Sequence, residues 1–534
     1  MEPEKDEGPI EYKLKLIDKN DSRISSLASQ MRFRVDEGGS ECIYVIGVTD
    51  DGKLEGLNEE EYIESFKTLS LVADKNNYSI SKISEKIVHT NKKVFELLVR
   101  ENNETKYIDI KVAISGSVDA GKSTFIGTLI SGKNDNGRGL SRLAVFNFKH
   151  EVTTGRTSSI AQHILGFDSK GEITNYCNFG KKSWPEIVKD SSKIISFFDL
   201  AGHQKYLKTT ILGITSTSPD ICMIIVGGNM GINNMTREHL FLCITLSIPF
   251  VFIITKIDIC KDRKNVLDDT IKQINSLIKL PGIRRIPYKI SSQEDVITVS
   301  KNIHSLSIVP VFHVSNVTGE GIDYIKQFLN LISCRPENSH KSEDKVELYI
   351  ETTFYVQGVG TIVGGQLISG NIKINDKLLL GPNNNNYVQV QVKSIHCKRV
   401  TVQEVSYGCY VCLSLKKLDR SLIKKGNVII SKNVEPLTVR HFTADIRIMK
   451  AHSTTIKIGY EPVIHVNNIR QTAKITHITN KINLRNNNIE ENEILRTGDK
   501  ATVSFTFMRH SEYIKKGDKL LFCENLTKAI GIVI

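Results

Sequence analysis

A strand, a glycine-rich turn and a helix are predicted in succession at residues 111–131. The apolar stretch Lys111–Ser115 predicts a strand, and apolar residues at helical spacing from Phe125 to Ile130 predict a helix. Between them, Gly116 to Ser123 reads GSVDAGKS and fits the pattern G-x4-G-K-S. Glycines let backbone amides curl around a phosphate at a helix N-terminus, where the helix dipole favours anions. The segment therefore predicts a phosphate-binding βα unit.

Residue types within this turn predict individual contacts to a nucleotide. The Lys122 ammonium is expected to bridge the β- and γ-phosphates, and the Ser123 hydroxyl to bind Mg²⁺. The nucleotide-binding residues predicted in this run are Gly116, Ser117, Val118, Asp119, Ala120, Gly121, Lys122, Ser123 and Thr124.

Further strands are predicted between amphipathic helical stretches, which is typical of a parallel sheet with crossover helices. They are Ile194–Asp199, Ile221–Val226, Phe250–Thr255 and Val311–Val314. Open sheets of this kind bind ligands at the carboxyl ends of their strands. Asp199 stands at such an end and can hold Mg²⁺ through water. Three residues later, the amide of Gly202 can contact a γ-phosphate.

Two more strand ends predict which base is bound. Asp258, in the run TKID, offers a carboxylate to N1 and to the exocyclic amine of guanine. Adenine presents no such pair of donors, so this carboxylate selects GTP or GDP over adenine nucleotides. The run SNV after the last strand would place backbone amides at guanine O6. The residues assigned to this side are Thr255, Lys256, Asp258, Ser315, Asn316 and Val317.

The remaining chain predicts three other domains. Residues 1–109 mix the predicted strands Glu11–Ile17 and Cys42–Val48 with a predicted helix at Glu59–Val72, which indicates a small α+β domain. Beyond the polar linker Cys334–Lys345, short strands separated by Gly and Asn turns predict two antiparallel β-barrels. The predicted domains are 1–109 (α+β), 110–335 (phosphate-binding α/β), 346–432 (first barrel) and 435–534 (second barrel).

Charge and cysteine content indicate the kind of protein and a partner. The net charge is +12, but residues 1–109 hold 16 Lys and Arg against 23 Asp and Glu, so the rest carries +19. The basic segment 110–534 is compatible with binding to RNA. The acidic segment 1–109 could dock on the basic segment or bind a protein partner. Ten cysteines without a secretory signal predict reduced thiols. No apolar run approaches the roughly 20 residues of a membrane helix. We expect a cytoplasmic monomer with no membrane contact.

Several longer runs resemble a known family. The runs GSVDAGKST, DLAGHQKYLKT and TKID resemble translational GTPases of the elongation factor Tu and elongation factor 1-alpha type. The resemblance is more specific to the eukaryotic GTP-binding protein 1 and 2 group and extends over essentially the whole chain. The runs that carry it are HEVTTGRTSS (150–159), ILGFD (164–168), DLAGHQKYLKTT (199–210), TKIDIC (255–260), VGTIVGG (359–365), GYEPVIHV (459–466), IRQTA (469–473) and LRTGDKATVSF (495–505).

The resemblance implies further site residues. Thr157 would close over Mg²⁺ and the γ-phosphate, completing a metal site with Ser123 and Asp199. His203 would orient the attacking water, and together with Gly202 and Lys122 would form the catalytic group. Arg156 stands where elongation factor Tu has an isoleucine that gates this histidine, so the bacterial gating account does not carry over.

The family also implies partners, namely the ribosome and tRNA or another RNA. Candidate RNA-facing residues in the matching barrel segments are His465, Arg470, Arg496 and Arg509. Three alternatives stay open: a GTP-gated adaptor in mRNA turnover, the regulatory GTPase subunit of a metabolic enzyme, and a role like that of initiation factor 2 gamma.

Overall fold

The chain folds into four consecutive units. The computed structural model describes residues 3–17, 20–89, 91–102, 107–146, 160–177, 180–280, 283–335, 345–383, 385–416, 418–448, 455–483, 488–489, 494–524 and 526–534. In this part of the chain no helix is long and apolar enough to cross a membrane.

The N-terminal unit is a four-stranded sheet covered by two helices. Its elements are β1 (Ile10–Lys13), α1 (Asp21–Glu37), β2 (Glu41–Ile46), α2 (Glu59–Lys75), β3 (Tyr78–His89) and β4 (Lys92–Glu101), with strand order β1-β2-β4-β3. Helix α2 begins in a capping box, in which the Asn58 side chain accepts from Glu61 N at 2.8 Å and the Glu61 carboxylate accepts from Asn58 N at 3.1 Å. Helix α1 was not predicted from the sequence.

The second unit is a seven-stranded sheet with helices on both faces. Its elements are β5 (Ile108–Gly116), α3 (Lys122–Ser131), β6 (Ala161–Phe167), β7 (Tyr176–Cys177), β8 (Gly180–Lys181), α4 (Trp184–Asp190), β9 (Lys193–Asp199), α5 (Leu207–Thr217), β10 (Ile221–Gly227), α6 (Asn234–Thr245), β11 (Phe250–Thr255), α7 (Lys264–Ile278), β12 (Ile286–Lys289), α8 (Gln293–Asn302), β13 (Ile308–His313) and α9 (Ile322–Leu331). The strand order is β12-β13-β11-β10-β5-β9-β6, and only β6 is antiparallel to its neighbour.

The five strands predicted in this unit are β5, β9, β10, β11 and β13, and all five lie in the sheet. Their carboxyl ends meet at one edge because the strands are parallel. Strands β6 and β12 were not predicted. Strand β12 is short and only partly buried, so it lacks the apolar run that marked the others.

A buried ion-pair network joins the first two units. Glu41 accepts from Arg100 at 2.7 Å and from Lys193 at 2.8 Å. Lys193 also donates to the carbonyls of Asn330 (2.8 Å) and Ile332 (2.6 Å). Lys193 starts β9, whereas Asp199 ends it, so the network lies about 20 Å along the strand from the ligand-binding edge. The N-terminal unit therefore docks at the edge of the sheet opposite the predicted site.

The third unit is a closed barrel. Its elements are β14 (Glu347–Val356), β15 (Gly360–Ser369), β16 (Asn371–Lys373), β17 (Lys377–Asn383), β18 (Asn386–Cys397), β19 (Val400–Val402), β20 (Glu404–Ser406), β21 (Tyr410–Leu415) and β22 (Val428–Ile430). The ladder runs β17-β22-β14-β15-β21-β18, and the pairing of β18 with β17 closes the ring.

The fourth unit is a second closed barrel. Its elements are β23 (His441–Ile448), β24 (Thr455–Ile456), β25 (Val463–Val466), β26 (Ile469–Asn483), β27 (Asn488–Ile489), β28 (Leu495–Arg496), β29 (Lys500–Phe507), β30 (Lys519–Glu524) and β31 (Leu526–Val533). The ladder β25-β30-β31-β23-β29-β26 closes through β25 and β26. The predicted fold class, an α/β domain with two antiparallel barrels behind it and an α+β domain in front, is confirmed.

Both barrels contact the α/β unit. In the first barrel, the buried Lys398 ammonium donates to Asp109 (2.6 Å) and to Ser196 Oγ (2.7 Å). From the second barrel, Leu521 is fully buried in the same apolar cluster as Ile211 and Ile214 of α5. Helix α5 follows the segment that carries Gly202 and His203, so that segment is physically linked to the second barrel.

Candidate functional site

The turn after β5 is shaped by close backbone approach. Gly116 has φ +141°, and a Cβ there would lie 2.3 Å from the Ile225 carbonyl oxygen, so no other residue fits. The chain then turns through Asp119 (φ +60°) and Gly121 (φ +90°) into α3. The turn thus leads into the N-terminus of α3, where unpaired backbone amides favour a phosphate.

Lys122 is buried beneath this turn. Its ammonium donates to the Ser117 carbonyl at 2.7 Å and to the Gly116 carbonyl at 3.2 Å. Burial lowers the pKa of Lys122, against the opposing effect of the Asp199 and Asp119 carboxylates. A Cβ at residue 202 would lie 2.3 Å from Nζ. The structure thus brings the predicted catalytic residues Gly202 and Lys122 together, and glycine is what permits that approach.

Two of the three predicted metal ligands are in contact. The Ser123 hydroxyl donates to Asp199 Oδ2 at 2.8 Å, and Asp199 is fully buried at the end of β9. A hydroxyl beside a carboxylate at a phosphate-binding turn is an all-oxygen donor set that suits Mg²⁺. Thr157 lies outside the described residues. Within the part of the chain that the structure describes, no group of three or more His, Cys, Asp or Glu side chains could hold a metal ion.

On the opposite side, the predicted base-recognition residues are tied to the turn. Thr255 Oγ1 donates to the Ala120 carbonyl at 2.6 Å, and Lys256 Nζ to the Asp119 carbonyl at 2.7 Å. These bonds join the end of β11 to the loop after β5, so the predicted base and phosphate sites are held in a fixed relation.

Asp258 is oriented by a neighbouring strand end. The fully buried Ser315 donates its hydroxyl to Asp258 Oδ1 at 2.7 Å. Ser315 Oγ in turn accepts from Thr318 N at 3.1 Å and from Val317 N at 3.3 Å. Asp258 Oδ1 is therefore held by Ser315, and this bond fixes the orientation of the carboxylate at the cavity.

His203 lies at the surface, directly after Gly202. Its Nδ1 accepts from Lys205 N at 3.1 Å. A neutral imidazole that accepts at Nδ1 carries its proton on Nε2. The ring thus presents a donor that is not used by the backbone beside it.

These residues surround a cavity of about 770 Å³. The predicted residues that line it are Val118, Asp119, Gly121, Lys122, Ser123, Thr124, Gly202, His203, Lys256, Asp258, Asn316 and Val317. The other described members of the predicted set lie behind its wall, and these are Gly116, Ser117, Ala120, Asp199, Thr255 and Ser315. Several of the latter bond to lining residues, as Ser315 does to Asp258 and Asp199 to Ser123.

Sequence reasoning missed several residues of the site, and two groups of them contribute a charged or hydrogen-bonding side chain away from the motifs. His239, in α6, is fully buried and accepts the Gly116 amide at Nδ1 (3.1 Å). Burial lowers the pKa of His239 to about 3, with a smaller effect of Lys122, so the ring is neutral. Arg138 and Arg142, from the loop after α3, also line the cavity. No spacing rule marks either group; the only local signal is the turn-forming run DNG at Asp135–Gly137.

One candidate RNA-facing residue is placed wrongly. His465 is fully buried in β25. Its neighbours Ile464 and Val466 belong to the barrel core, so the alternation of a strand places His465 on the outer face, where β25 contacts α5 of the α/β unit. Arg470, Arg496 and Arg509 are exposed. A fully buried histidine cannot contact RNA, whereas the three exposed arginines can.

Comparisons with known proteins agree with this geometry. The family described as Elongation factor Tu GTP binding domain matches residues 109–355, and that described as GTP-eEF1A C-terminal domain-like matches residues 441–533. GTP-binding protein 1 of Xenopus laevis is 42% identical over 528 residues, which cover 98% of this chain and 78% of that protein. GTP-binding protein 2 of Homo sapiens is 40% identical over 545 residues, which cover 100% of this chain and 88% of that protein.

A solved structure shares the fold. Translation elongation factor SelB from Methanococcus maripaludis, in complex with the GTP analogue GppNHp, aligns with a TM-score of 0.55 at 18% identity, over 80% of this chain and 79% of its own. An elongation-factor-Tu-type nucleotide domain followed by two barrels defines a translation-elongation-factor-like GTPase, which binds and hydrolyses GTP. Within that class, the chain belongs to the family of GTP-binding protein 1 and GTP-binding protein 2. The resemblance and the GTPase activity predicted from the sequence are confirmed.

Proposed function

We propose that the chain is a translation-factor-like switch that cycles between GTP and GDP in the 770 Å³ cavity. The observation that carries the proposal is the convergence of two contacts on opposite walls. Ser123 meets Asp199 at 2.8 Å on the phosphate side, and Ser315 meets Asp258 at 2.7 Å on the base side. These pairs come from separate strand ends, so only the folded sheet brings them to one pocket.

Hydrolysis in this proposal depends on positioning. Lys122 neutralises phosphate charge, the Gly202 amide contacts the γ-phosphate, and His203 orients the attacking water. Ser123 and Thr157 would hold Mg²⁺ directly and Asp199 would do so through water, and the ion would neutralise phosphate charge. Because His203 is exposed, we expect slow turnover alone and faster turnover when a partner fixes the ring.

The partners we propose are the ribosome and tRNA or another RNA, in the cytoplasm. The support is the +19 charge of residues 110–534, the exposed Arg470, Arg496 and Arg509 on the second barrel, and the class of the protein. We further propose that the protein is a monomer with domains at 1–109, 110–335, 346–432 and 435–534. Its acidic N-terminal domain is the proposed site for a protein partner.

GTP turnover by the full chain tests this function. It is measured alone, with ribosomes, and with ribosomes plus aminoacyl-tRNA. We expect ribosomes to stimulate GTP turnover. We also expect the GTP-bound protein to bind aminoacyl-tRNA and protect it from deacylation. His203→Ala should keep wild-type affinity for GTP and lose the stimulated rate. His89→Ala, which changes an exposed histidine of β3, is the matched control and should behave as wild type.

Each outcome separates the alternatives. Ribosome-independent turnover without tRNA protection would reject the translation role and favour an adaptor whose partner binding follows the nucleotide state. An unchanged stimulated rate in His203→Ala would reject the catalytic assignment of that residue while leaving the switch intact.

A further inference from the structure

The loop between α3 and residue 146 forms one wall of the nucleotide cavity. Its residues Asp135, Gly137, Arg138, Gly139 and Arg142 all line that cavity. None belongs to the motifs that predicted nucleotide binding.

Asp135 holds this loop in shape. Its carboxylate accepts backbone N–H groups from Gly137 (2.9 Å), Gly139 (3.0 Å) and Ser141 (2.9 Å), and its side chain is only 7% exposed. A buried carboxylate that accepts three amides fixes the backbone around it. The loop is therefore a preformed wall.

The same loop is fastened to both neighbouring elements of the site. Asp135 N donates to the Asn316 carbonyl at 2.7 Å, which ties it to the base-recognition turn. At its other end, a Cβ on Gly127 would lie 2.1 Å from the Ser141 carbonyl, so the loop packs directly on helix α3. Its side chains are thus placed relative to both the base and the phosphates.

Two guanidinium groups project from this wall without ion-pair partners. Neither Arg138 nor Arg142 forms a salt bridge with a described residue. Arg142 lies over Gly139, where a Cβ would come within 2.6 Å of its Nε. Lys133, the other cation of this loop, does not line the cavity, so the two arginines are the cations that the loop presents to a bound anion.

We propose that Arg138 and Arg142 clamp the ribose-proximal phosphates of the bound guanine nucleotide and thereby set how slowly GDP leaves. This proposal rests on the proposed function, because it assumes that guanine nucleotides fill the cavity. The loop is tied to the base-recognition turn, and the α-phosphate is the phosphate joined to the ribose. GDP and GTP share this phosphate, so the clamp holds both nucleotides alike and contributes to binding rather than to hydrolysis.

The experiment measures release of prebound fluorescent GDP and GTP from the full chain. The variants are Arg138→Ala, Arg142→Ala and the double variant, with Lys133→Ala as the matched control because Lys133 is exposed in the same loop and does not line the cavity. Each single variant should release GDP about tenfold faster, as expected for a lost charge-assisted hydrogen bond. GTP release should accelerate by the same factor, because both nucleotides carry the contacted phosphate.

Two further measurements separate the clamp from a merely structural loop. Arg142→Lys keeps the charge and should release GDP at an intermediate rate. Wild-type release should accelerate with added salt, and the double variant should show a weaker salt dependence, because a screened ionic contact has been removed. Melting temperatures of all variants check that they fold.

Three results decide the matter. Release of GDP at the wild-type rate from the folded double variant would overturn the clamp. A selective loss of GTP binding, or a collapse of turnover with GDP release unchanged, would also overturn it and assign the arginines to the γ-phosphate. A wild-type chain that binds no guanine nucleotide would instead reject the proposed function.

Discussion

Replacing Ser315 by alanine tests how the protein aims the carboxylate that reads the base. The Ser315 hydroxyl donates to Asp258 Oδ1 at 2.7 Å in a fully buried position and accepts two backbone amides at 3.1 and 3.3 Å. A hydrogen bond to a charged group contributes about 1.5–3 kcal/mol. Since each 1.4 kcal/mol is a factor of ten, the Kd for GDP should rise about tenfold to about a hundredfold.

Calorimetric titration of the full chain with GDP and Mg²⁺ measures this Kd. Asp258→Asn and the double variant complete a cycle. If Ser315 acts through Asp258, the double variant should lose less than the sum of the single losses, with a coupling of about 0.5–3 kcal/mol. Thr318→Ala is the control, because Thr318 is exposed and does not contact Asp258 through its side chain. A Kd within twofold of wild type in Ser315→Ala, or strictly additive losses, would refute the reasoning.

Three other changes have defined outcomes. Burial alone would raise the pKa of Glu41, but the Lys193 and Arg100 cations outweigh burial and lower that pKa. The docking of the N-terminal unit on the α/β unit should therefore be fully stabilised above about pH 4.5 and weaken as the pH falls below it. Glu41→Gln should weaken this docking by about 3–5 kcal/mol, measured by hydrogen exchange at the interface. His239→Ala leaves the buried Gly116 amide unpaired and should weaken GDP binding about tenfold. Glu351 lies in β14, where burial raises its pKa to about 7. The free energy that its ionisation costs the folded state therefore grows from pH 4.5 to 7, and Glu351→Gln should raise the melting temperature at pH 8 but not at pH 5.

The sequence predicted what depends on neighbours along the chain. The turn at Gly116–Ser123 is recognisable in the sequence because its glycines, lysine and serine lie within eight residues, between a predicted strand and a predicted helix. Asp199 and Asp258 were found because each ends an apolar strand, and parallel strands bring their carboxyl ends to one edge. Those local rules were enough to predict five of the seven strands and the polar groups at their carboxyl ends.

Contacts between distant segments could not be read in the same way. His239 supports the Gly116 amide from a helix 123 residues further along, and a histidine on a buried helix face carries no mark of its partner. The arginines of the loop after α3 lie in the cavity only because Asp135 folds that loop and bonds to Asn316. His465 was misplaced for the related reason that its burial depends on the contact of β25 with α5, two segments far apart in the chain.

The buried network between the first two domains has a consequence for synthesis of the chain. Glu41 and Arg100 are opposite each other in β2 and β4, so these two charges can pair as soon as the N-terminal sheet has folded. Their remaining partners come much later, and Asn330 lies 230 residues beyond Arg100. Synthesis proceeds at roughly 5–20 residues per second, so on the order of ten seconds or more pass between the synthesis of Arg100 and that of Asn330. The N-terminal unit is thus synthesised before the segment of the nucleotide domain against which it packs, and the pairing of Glu41 with Arg100 leaves neither charge alone at that surface in the interval.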